Sequence, residues 1–296
     1  MEKAWQYAEE SSRLFGNAKY GYVPGSISST LEYAYTEWCM AELAKALGKT
    51  SGEQHYRKLA KSYQHIYDAV HRSFRPKDEK GNFLPWPEKG RLTEGYGSVE
   101  SNPFQQGWFV PHDIEGLAQL MGGREKTIEE LDYMFANTPT DFLWNQFYNH
   151  ANEPVHHVPF LYNRLGQPWK TQYWTRFICQ KAYKNEVKGL VGNEDVGQMS
   201  AWYVLASIGM HPICPGDTRM ELSAPLFDEV TLRVAGGKVF TIRVKGQSPQ
   251  NMYIQSAKLN GHSYTKCYID YQDVIQGGVL ELTLSDQPNK NWGVGE

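Results

Sequence analysis

The sequence predicts an α+β fold, mainly α, in which a helical portion at residues 1–212 precedes a small antiparallel β-sheet at residues 213–296. In the first two thirds of the chain, apolar residues recur every three or four positions, which is the spacing of one helix face. After about residue 212 the spacing changes to two, and glycine-containing turns separate the alternating segments. Helices and strands segregated along the chain in this way are typical of the α+β class.

The composition is that of an ordinary globular chain of 296 residues. A formal net charge of -3 gives no general attraction for nucleic acid. No apolar stretch approaches the roughly 18 residues that a membrane span needs. We therefore expect neither nucleic acid nor a membrane as a partner. Aromatic residues make up 14% of the chain, which favours either a large aromatic core or a cleft whose rings stack on sugars.

The predicted helices follow in order from the N-terminus. Residues 1–10 read as a helix and carry no signal-peptide pattern. Capping boxes at residues 29–32 and 51–54 each start a helix, and the apolar spacing of the second continues to Phe74. The short link between these two helices predicts an antiparallel helical hairpin.

Between Pro76 and Pro111 the helical spacing disappears, and a long segment rich in glycine, proline and aromatic residues takes its place. Loops of that length in compact domains are usually functional or disordered. Further helices are predicted at residues 112–121, 125–136, 168–185 and 196–209.

The strand prediction depends on alternation and on turn residues. Residues 231–234 and 240–244 alternate on either side of a Gly-Gly pair, which indicates a β-hairpin. Asn260-Gly261 supplies another turn, and the leucines at 280–284 mark a last strand. We expect five or six strands after seven or eight helices.

The first cluster of candidate functional residues spans residues 100–113. Glu100 lies beside Phe104 and Trp108 in the sequence, and desolvation by such neighbours would raise the pKa of its carboxyl, as a general acid requires. His112 or Asp113 has the alternative role of capping the helix that follows.

A second cluster spans residues 149–163. The adjacent His156 and His157 lack the i, i+4 spacing of a zinc-binding helix, so a zinc site is disfavoured. The oxygen-bearing side chains of Asn152, Glu153 and Asn163 suit a hard cation or sugar hydroxyls better.

The third cluster spans residues 192–203. Asp195 precedes a predicted helix and could be its cap, but two consecutive acids, Glu194 and Asp195, exceed what a cap needs. One carboxylate is therefore expected to face a cleft. Glu100 and Asp195 together could form the two-carboxylate device of glycoside hydrolysis.

Four long segments and three shorter ones, in the same order, resemble glycoside hydrolase family 92, the calcium-dependent exo-acting α-mannosidases of bacteria. The segments are residues 21–24 with 29–35, 100–113, 152–172, 192–202, 223–227, 251–256 and 259–261. The resemblance covers nearly the whole chain, and motifs of this length are highly specific.

The resemblance implies an inverting enzyme whose cleft lies between an N-terminal β-sandwich and a C-terminal (α/α)6 toroid. Glu100 matches the general acid and Asp195 the general base that activates water. It also implies a calcium cofactor that binds the sugar, for which Asn102 and His156 are the candidate ligands.

The substrate implied by the resemblance is a mannose-containing glycan. The candidate substrate-binding residues are Asn152, Glu153, Trp108 and Lys170. Family members cleaving α-1,2 linkages often carry histidine where this chain has Asn152, so α-1,3 linkages and mannosyl phosphates stay open as substrates. Many members have aspartate at the position of Asn193, and asparagine often stands at that of His156.

The length departs most from the family, whose members run to about twice this size. The chain is therefore expected to form only part of the toroid, and to associate with a missing N-terminal β-sandwich or with itself. Family members are usually periplasmic or secreted. The alternatives are a non-catalytic mannose-binding or structural fragment, and a toroid enzyme such as a polysaccharide lyase, which would prefer anionic sugars.

Overall fold

The computed structural model describes residues 2–15 and 19–295. By its internal contacts the chain divides into two compact units. The first unit contains the residues up to Thr138 together with Asn145–Asn149, and the second contains Pro139–Trp144 and the residues from His150 onward. The boundary predicted at residue 212 falls inside the second unit, where it separates helices from most of the strands.

The first unit is mainly helical. Its helices are α1 (Glu2–Phe15), α2 (Ile27–Ala46), α3 (Thr50–Leu59), α4 (Pro103–Gln106), α5 (Ile114–Leu120) and α6 (Arg124–Ala136), with 3-10 turns at Ser62–Ile66 and Gly90–Leu92 and a short hairpin of β1 (Tyr67–Asp68) and β2 (Ser73–Phe74). Helices α1, α2 and α3 share a core of Trp5, Met40, Ala41, Ala44 and Tyr56. The predicted packing of the second and third helices is confirmed.

The helix starts differ from the two predicted capping boxes. Helix α2 is capped by Ser26, whose hydroxyl accepts a hydrogen bond from the Ser29 amide at 3.0 Å, so the true cap lies three residues earlier. The cap position of α3 is Lys49, which makes no side-chain capping bond, and Ser51 already lies inside the helix. Helix α3 is also shorter than predicted.

A local polar network replaces the expected continuation of α3. The Asp68 carboxylate lies 2.8 Å from His71 Nδ1 and accepts from Arg75 Nη1 at 2.8 Å. Side chains that bond to nearby groups in this way compete with helix formation. The apolar residues still reach the core, because the ring of Tyr67 packs against that of Phe74 at 5.3 Å. The helical spacing of the apolar residues therefore predicted correctly that most of them are buried, but the prediction that the helix continues to Phe74 is wrong.

The second unit combines helices with strands. Its helices are α7 (Leu161–Arg164), α8 (Pro168–Lys181), α9 (Gln198–Ile208) and α10 (Tyr271–Gln276), with 3-10 turns at Glu153–Val155, Val158–Phe160 and Ala235–Gly237. Its strands are β3 (Met210–His211), β4 (Arg219–Leu222), β5 (Glu229–Arg233), β6 (Val239–Lys245), β7 (Tyr253–Leu259), β8 (His262–Tyr264), β9 (Tyr268–Asp270) and β10 (Gly278–Ser285). Within the described ranges, no helix has the length and apolar character of a bilayer-spanning segment.

The strands form two sheets, one in the order β5-β6-β10-β7-β8 and one in the order β3-β4-β9. The predicted hairpin of β5 and β6 and the predicted turn at Asn260-Gly261 between β7 and β8 are both confirmed. The expectation of a purely antiparallel sheet is wrong, because β10 pairs in parallel with β6, with Gly278 opposite Phe240. This pairing arises because β10 returns after β7, β8, β9 and α10 and inserts between β6 and β7.

Helix α8 is fixed to the strands by buried polar side chains. Gln172 Oε1 accepts from the Ile254 amide at 2.8 Å. The buried Arg176 guanidinium donates to the carbonyls of Pro225 at 2.8 Å and Ser248 at 3.2 Å. Buried polar groups are stable when they are hydrogen-bonded, so these bonds join the helical and β parts into one unit.

Candidate active site

Glu100 lies in the first unit, on the loop that precedes α4. Its side chain is exposed, and its backbone φ is 50°. Non-glycine residues seldom adopt positive φ, because the side chain then crowds the backbone. The sequence predicted desolvation of this carboxyl, whereas the structure leaves it open to solvent. Its local environment therefore does not supply the expected burial.

Buried side chains hold the backbone on both sides of Glu100. The Ser28 hydroxyl accepts from the Val99 amide at 2.9 Å and donates to Gln106 Oε1 at 2.9 Å. The Ser101 hydroxyl donates to the same Gln106 oxygen at 3.2 Å. Gln106 is 2% exposed. The loop is thus anchored from α2 on one side and from α4 on the other.

Asn102 does not fit the predicted role of calcium ligand. It is the N-cap of α4, and its Oδ1 accepts from the amides of Phe104 at 3.0 Å and Gln105 at 2.9 Å. Its Nδ2 donates to the Gln146 carbonyl at 3.0 Å. Both lone pairs of the carboxamide oxygen are therefore in use, and none is left for a cation.

Trp108 does not fit the predicted role of substrate contact. Its side chain is 1% exposed, and its ring packs against Phe104 with the centroids 6.4 Å apart. A ring without an exposed face has no surface to stack on a sugar, so Trp108 is a core residue of the first unit. Asp113 takes its alternative role, because its Oδ1 accepts from the Gly116 amide and caps α5.

Asp195 lies in the second unit, on a turn of three consecutive residues with positive φ. The φ values are 43° at Asp195, 58° at Val196 and 89° at Gly197. Asp195 is exposed, and its carboxylate makes no hydrogen bond or ion pair within the described residues. The alternative of helix capping does not apply to it, because the N-cap of α9 is Gly197.

The neighbouring acid, Glu194, supplies the capping interaction instead. Its Oε1 accepts from the Ser200 amide at 3.0 Å, and its Oε2 accepts from the Ser200 hydroxyl at 2.9 Å. Both carboxylate oxygens are thus directed at the first turn of α9, where negative charge is favourable. Of the two consecutive acids, Glu194 is engaged and Asp195 is available.

The loop with Asn152 and Glu153 lies in the same unit as Asp195. Asn152 is buried at 7% exposure, and Glu153 is half-buried at the start of a 3-10 turn. Lys170 is half-buried on α8, with its Nζ 5.4 Å from the centroid of the Tyr162 ring. The structure assigns these three substrate-binding candidates and the proposed base to one compact unit.

His156 does not fit a calcium site either. Its Nε2 lies 3.0 Å from the His150 carbonyl, and its Nδ1 lies 3.2 Å from Gln198 Nε2. A carbonyl only accepts, so Nε2 carries the proton and Nδ1 accepts from the amide, which leaves no free ring nitrogen. Burial lowers the pKa of His156 to about 4. Calcium also prefers oxygen ligands to imidazole nitrogen.

The described residues contain no group of three or more histidines, cysteines or acids that could hold a metal ion. Together with the hydrogen bonds of Asn102 and His156, this means that the predicted ligand pair does not fit the cofactor.

The second and third sequence clusters meet in the second unit. Gln198 reaches His156 as described, and Trp202 Nε1 donates to the His156 carbonyl at 2.9 Å. A Cβ atom at Gly192 would lie 2.8 Å from the side chain of Ala151, closer than real Cβ atoms approach. Glycine is therefore required where the two loops touch.

Sequence reasoning missed four residues that hold the two acidic loops, namely Ser28, Gln106, Gln198 and Ser200, and it named Glu194 without assigning its contact with Ser200. Ser28 and Gln106 are far apart in the chain, so no local pattern connects them. The Gly192 between two polar segments was a usable signal of close backbone approach.

Comparison with known proteins places these loops in a family. An uncharacterized secreted glycosidase of Arthroderma benhamiae is 31% identical over 301 residues, which cover 93% of this chain and 37% of that protein. An inverting mannosidase of family GH92 from Bacteroides thetaiotaomicron is 35% identical with a TM-score of 0.86, over 94% of this chain and 40% of that one. A GH92 α-mannosidase from the same bacterium is 34% identical with a TM-score of 0.91, over 99% of this chain and 40% of that one.

The chain thus spans about two fifths of the length of these relatives. The model of the glycosyl hydrolase family 92 catalytic domain matches residues 2–286, which is almost the whole chain. Since the matched region includes both acidic loops, this protein belongs to glycosyl hydrolase family 92.

Proposed function

We propose that this chain carries the catalytic residues of an inverting α-mannosidase, with Glu100 as general acid and Asp195 as general base. The observation that carries the proposal is that both carboxylates are exposed on residues with positive φ. Backbone strain of this kind costs about 1–3 kcal/mol and clusters at active sites. Mannosidase activity in the related Bacteroides structures supports the choice of substrate.

The proposed chemistry needs the two carboxyl groups on opposite sides of one sugar. Glu100 protonates the glycosidic oxygen, and Asp195 removes a proton from the water that attacks the anomeric carbon. An inverting enzyme places the two carboxyls about 6.5–9.5 Å apart, which leaves room for that water. Because Glu100 is exposed in the free protein, a bound glycan would exclude water from its carboxyl.

The first test is release of mannose from α-mannosides by the wild-type chain and by Glu100→Gln and Asp195→Asn. Proton NMR of the first product should show β-mannose, since inversion changes the anomer. Retained activity in Glu100→Gln on a natural disaccharide, or α-mannose as first product, would contradict the assignment. A crystal structure with the two carboxyls much more than about 10 Å apart would also contradict it.

The calcium requirement stays a separate proposal taken from the family. Asn102 and His156 are committed to other hydrogen bonds, so any calcium ion would need ligands other than these two side chains. Removal of calcium with a chelator should abolish mannose release, and added calcium should restore it. Full activity after chelation would show that this chain does not share the requirement.

The linkage depends on the loop that starts at Asn152. We propose an α-linked mannoside as substrate and expect α-1,2 and α-1,3 disaccharides and a mannosyl phosphate to differ in kcat/KM. Turnover of the phosphate should be insensitive to Glu100→Gln, because phosphate leaves without protonation. Equal loss on all three substrates would instead indicate that Glu100 acts in binding.

The second candidate function is mannose binding without turnover. The chain spans about two fifths of the length of its relatives. In this case an N-terminal β-sandwich, or a second copy, would complete a cleft of which the (α/α)6 toroid is one side. Calorimetric titration with mannose separates the cases: binding without release of product supports the binding module, and release supports the enzyme.

A further inference from the structure

The turn that presents Asp195 is unusual in its backbone. Asp195, Val196 and Gly197 follow one another in the left-handed region. L-residues adopt this region as isolated residues rather than in runs, because the Cβ atom approaches the following carbonyl oxygen. Val196 is the least suited, since it is branched at Cβ, and it is also fully exposed. No packing of its own side chain holds it there.

Hydrogen bonds on either side of the turn hold it closed. The Gln198 amide donates to the Asp195 carbonyl at 3.1 Å, and the Met199 amide donates to the Glu194 carbonyl at 3.3 Å. The Glu194 carboxylate spans the turn from the other direction and accepts from both the amide and the hydroxyl of Ser200. The residues before and after the turn are therefore tied together by one side chain.

We propose that Glu194 is a positioning residue for the general base. Its two hydrogen bonds to Ser200 keep residues 195–197 in the left-handed conformation. That conformation holds the Asp195 carboxylate away from the amides of α9. This inference rests on the proposed function of Asp195. Glu194 itself is held at the start of α9, because each of its carboxylate oxygens accepts a hydrogen bond from Ser200.

The backbone strain at Val196 makes the proposal testable, because the effect of removing Glu194 should depend on the residue at position 196. If Glu194 is needed because Val196 resists its conformation, glycine at position 196 should remove much of the need, since glycine adopts positive φ without a clash. A merely stabilising cap would show no such dependence, because its contribution does not depend on the residue at the apex of the turn.

The experiment is a double-mutant cycle with Glu194→Ala, Val196→Gly and the combined variant. Misplacement of a catalytic group by about 1 Å lowers the rate by roughly 10-fold to 100-fold, and this is the loss in kcat expected for Glu194→Ala, with KM changed less than about twofold. The combined variant should recover most of the lost kcat. Additive effects of the two substitutions would overturn the proposal.

A matched control lies in the same unit. Asp270 caps α10 by accepting from the Gln272 amide at 2.8 Å, and it accepts from the Thr218 hydroxyl at 2.7 Å. It therefore has the same kinds of donor as Glu194 but lies outside the acidic loops. Asp270→Ala should lower the melting temperature and leave kcat as it is. A similar fall in kcat in this variant would mean that general destabilisation explains the Glu194 effect.

A structural readout separates this inference from the proposed function. In a crystal structure of Glu194→Ala, Asp195 and Val196 should leave the left-handed region, and in the combined variant they should return to it. An unchanged turn in Glu194→Ala would overturn the inference whatever the activity. If Asp195→Asn keeps full kcat, or the chain shows no turnover, the proposed function fails while the backbone result still decides the role of Glu194.

Discussion

The two acidic loops present the same kind of residue by different means. Glu100 and Asp195 are both exposed and both have positive φ. Beneath Glu100, buried neutral groups from α2 and α4 hold the chain, with Ser28 and Gln106 at the centre. Beside Asp195, an exposed charged residue, Glu194, bonds to the first turn of α9. One loop is built into a core and the other is clamped at the surface.

This difference predicts unequal resistance to local opening. The Glu100 loop is held by buried hydrogen bonds, whereas the Asp195 turn is held by exposed ones, so the turn should open at a lower free-energy cost.

The largest effect concerns the leaving group. General acid–base catalysis contributes about 10²-fold to 10⁴-fold, so Glu100→Gln and Asp195→Asn should each lose this much on a mannose disaccharide. On an aryl mannoside with a very acidic phenol, Glu100→Gln should keep most of its rate, because that phenol departs without protonation. Asp195→Asn should stay impaired on both substrates.

Steady-state kinetics on the two substrates checks this prediction. If both variants recover on the aryl mannoside, the roles of acid and base are not divided between the two loops as proposed.

The second effect concerns pH, because Gln198, which follows the Asp195 turn, contacts the buried His156. Burial lowers the pKa of His156 to about 4 and that of His211 to about 3. In the unfolded chain both histidines have a pKa of about 6.5. The folded state therefore binds fewer protons, so stability is full above about pH 6.5 and falls with acid by about 1.4 kcal/mol per pH unit for each histidine until its folded pKa is reached.

Urea unfolding of the wild type between pH 7 and pH 5 should show this loss. His211→Gln should have a shallower pH slope than the wild type, and the exposed His262→Gln serves as the control for replacing a histidine at the surface. Equal slopes in His211→Gln and the wild type would contradict the assigned pKa direction.

The third prediction concerns the stability of the buried hydrogen bonds that hold the Glu100 loop, in comparison with the exposed Glu194–Ser200 bonds of the Asp195 turn. Gln106→Leu leaves the buried hydroxyls of Ser28 and Ser101 without their acceptor, and we expect a loss of about 1–3 kcal/mol in the free energy of unfolding. Val99, which depends on Ser28, should then exchange its amide hydrogen faster. Ser28→Ala should reproduce part of this change.

The smallest effect is expected for Ser200→Ala, which removes only the hydroxyl that donates to Glu194 and leaves the amide bond in place. Loss of one exposed capping interaction costs about 0.5–1 kcal/mol. Denaturant midpoints for Ser200→Ala and Gln106→Leu should therefore differ clearly. Equal losses would remove the distinction between a buried anchor and a surface clamp.

The sequence predicted much of the fold because local spacing decides it. Helix α6 and strands β5 and β6 lie where the apolar spacing placed them. It failed where a contact between distant residues decides, as with the parallel pairing of β10 with β6. Around Asp68 most of the apolar residues are buried as predicted, but the backbone is not helical. The spacing of apolar residues indicates which side chains are buried, and it determines the backbone conformation less directly.

The candidate site divides in the same way. The motifs located the two acidic loops, but they did not show which member of Glu194-Asp195 caps the helix. Asn102 and His156 were assigned to calcium from their place in the family pattern, and their hydrogen bonds in this chain decide otherwise. The residue type shows which ligands a side chain can bind. Its hydrogen-bond partners in the folded protein determine whether its donor and acceptor atoms are still free to bind them.

The position of β10 has a consequence for how the protein is made. The five-stranded sheet has at its centre the strand that the ribosome synthesises last among the five. Until Gly278–Ser285 emerges, the β5–β6 and β7–β8 hairpins have no strand to join them, and each presents an open edge. Nascent chains that stall before this strand therefore expose two strand edges at once, and exposed edges of this kind are prone to pair with other chains.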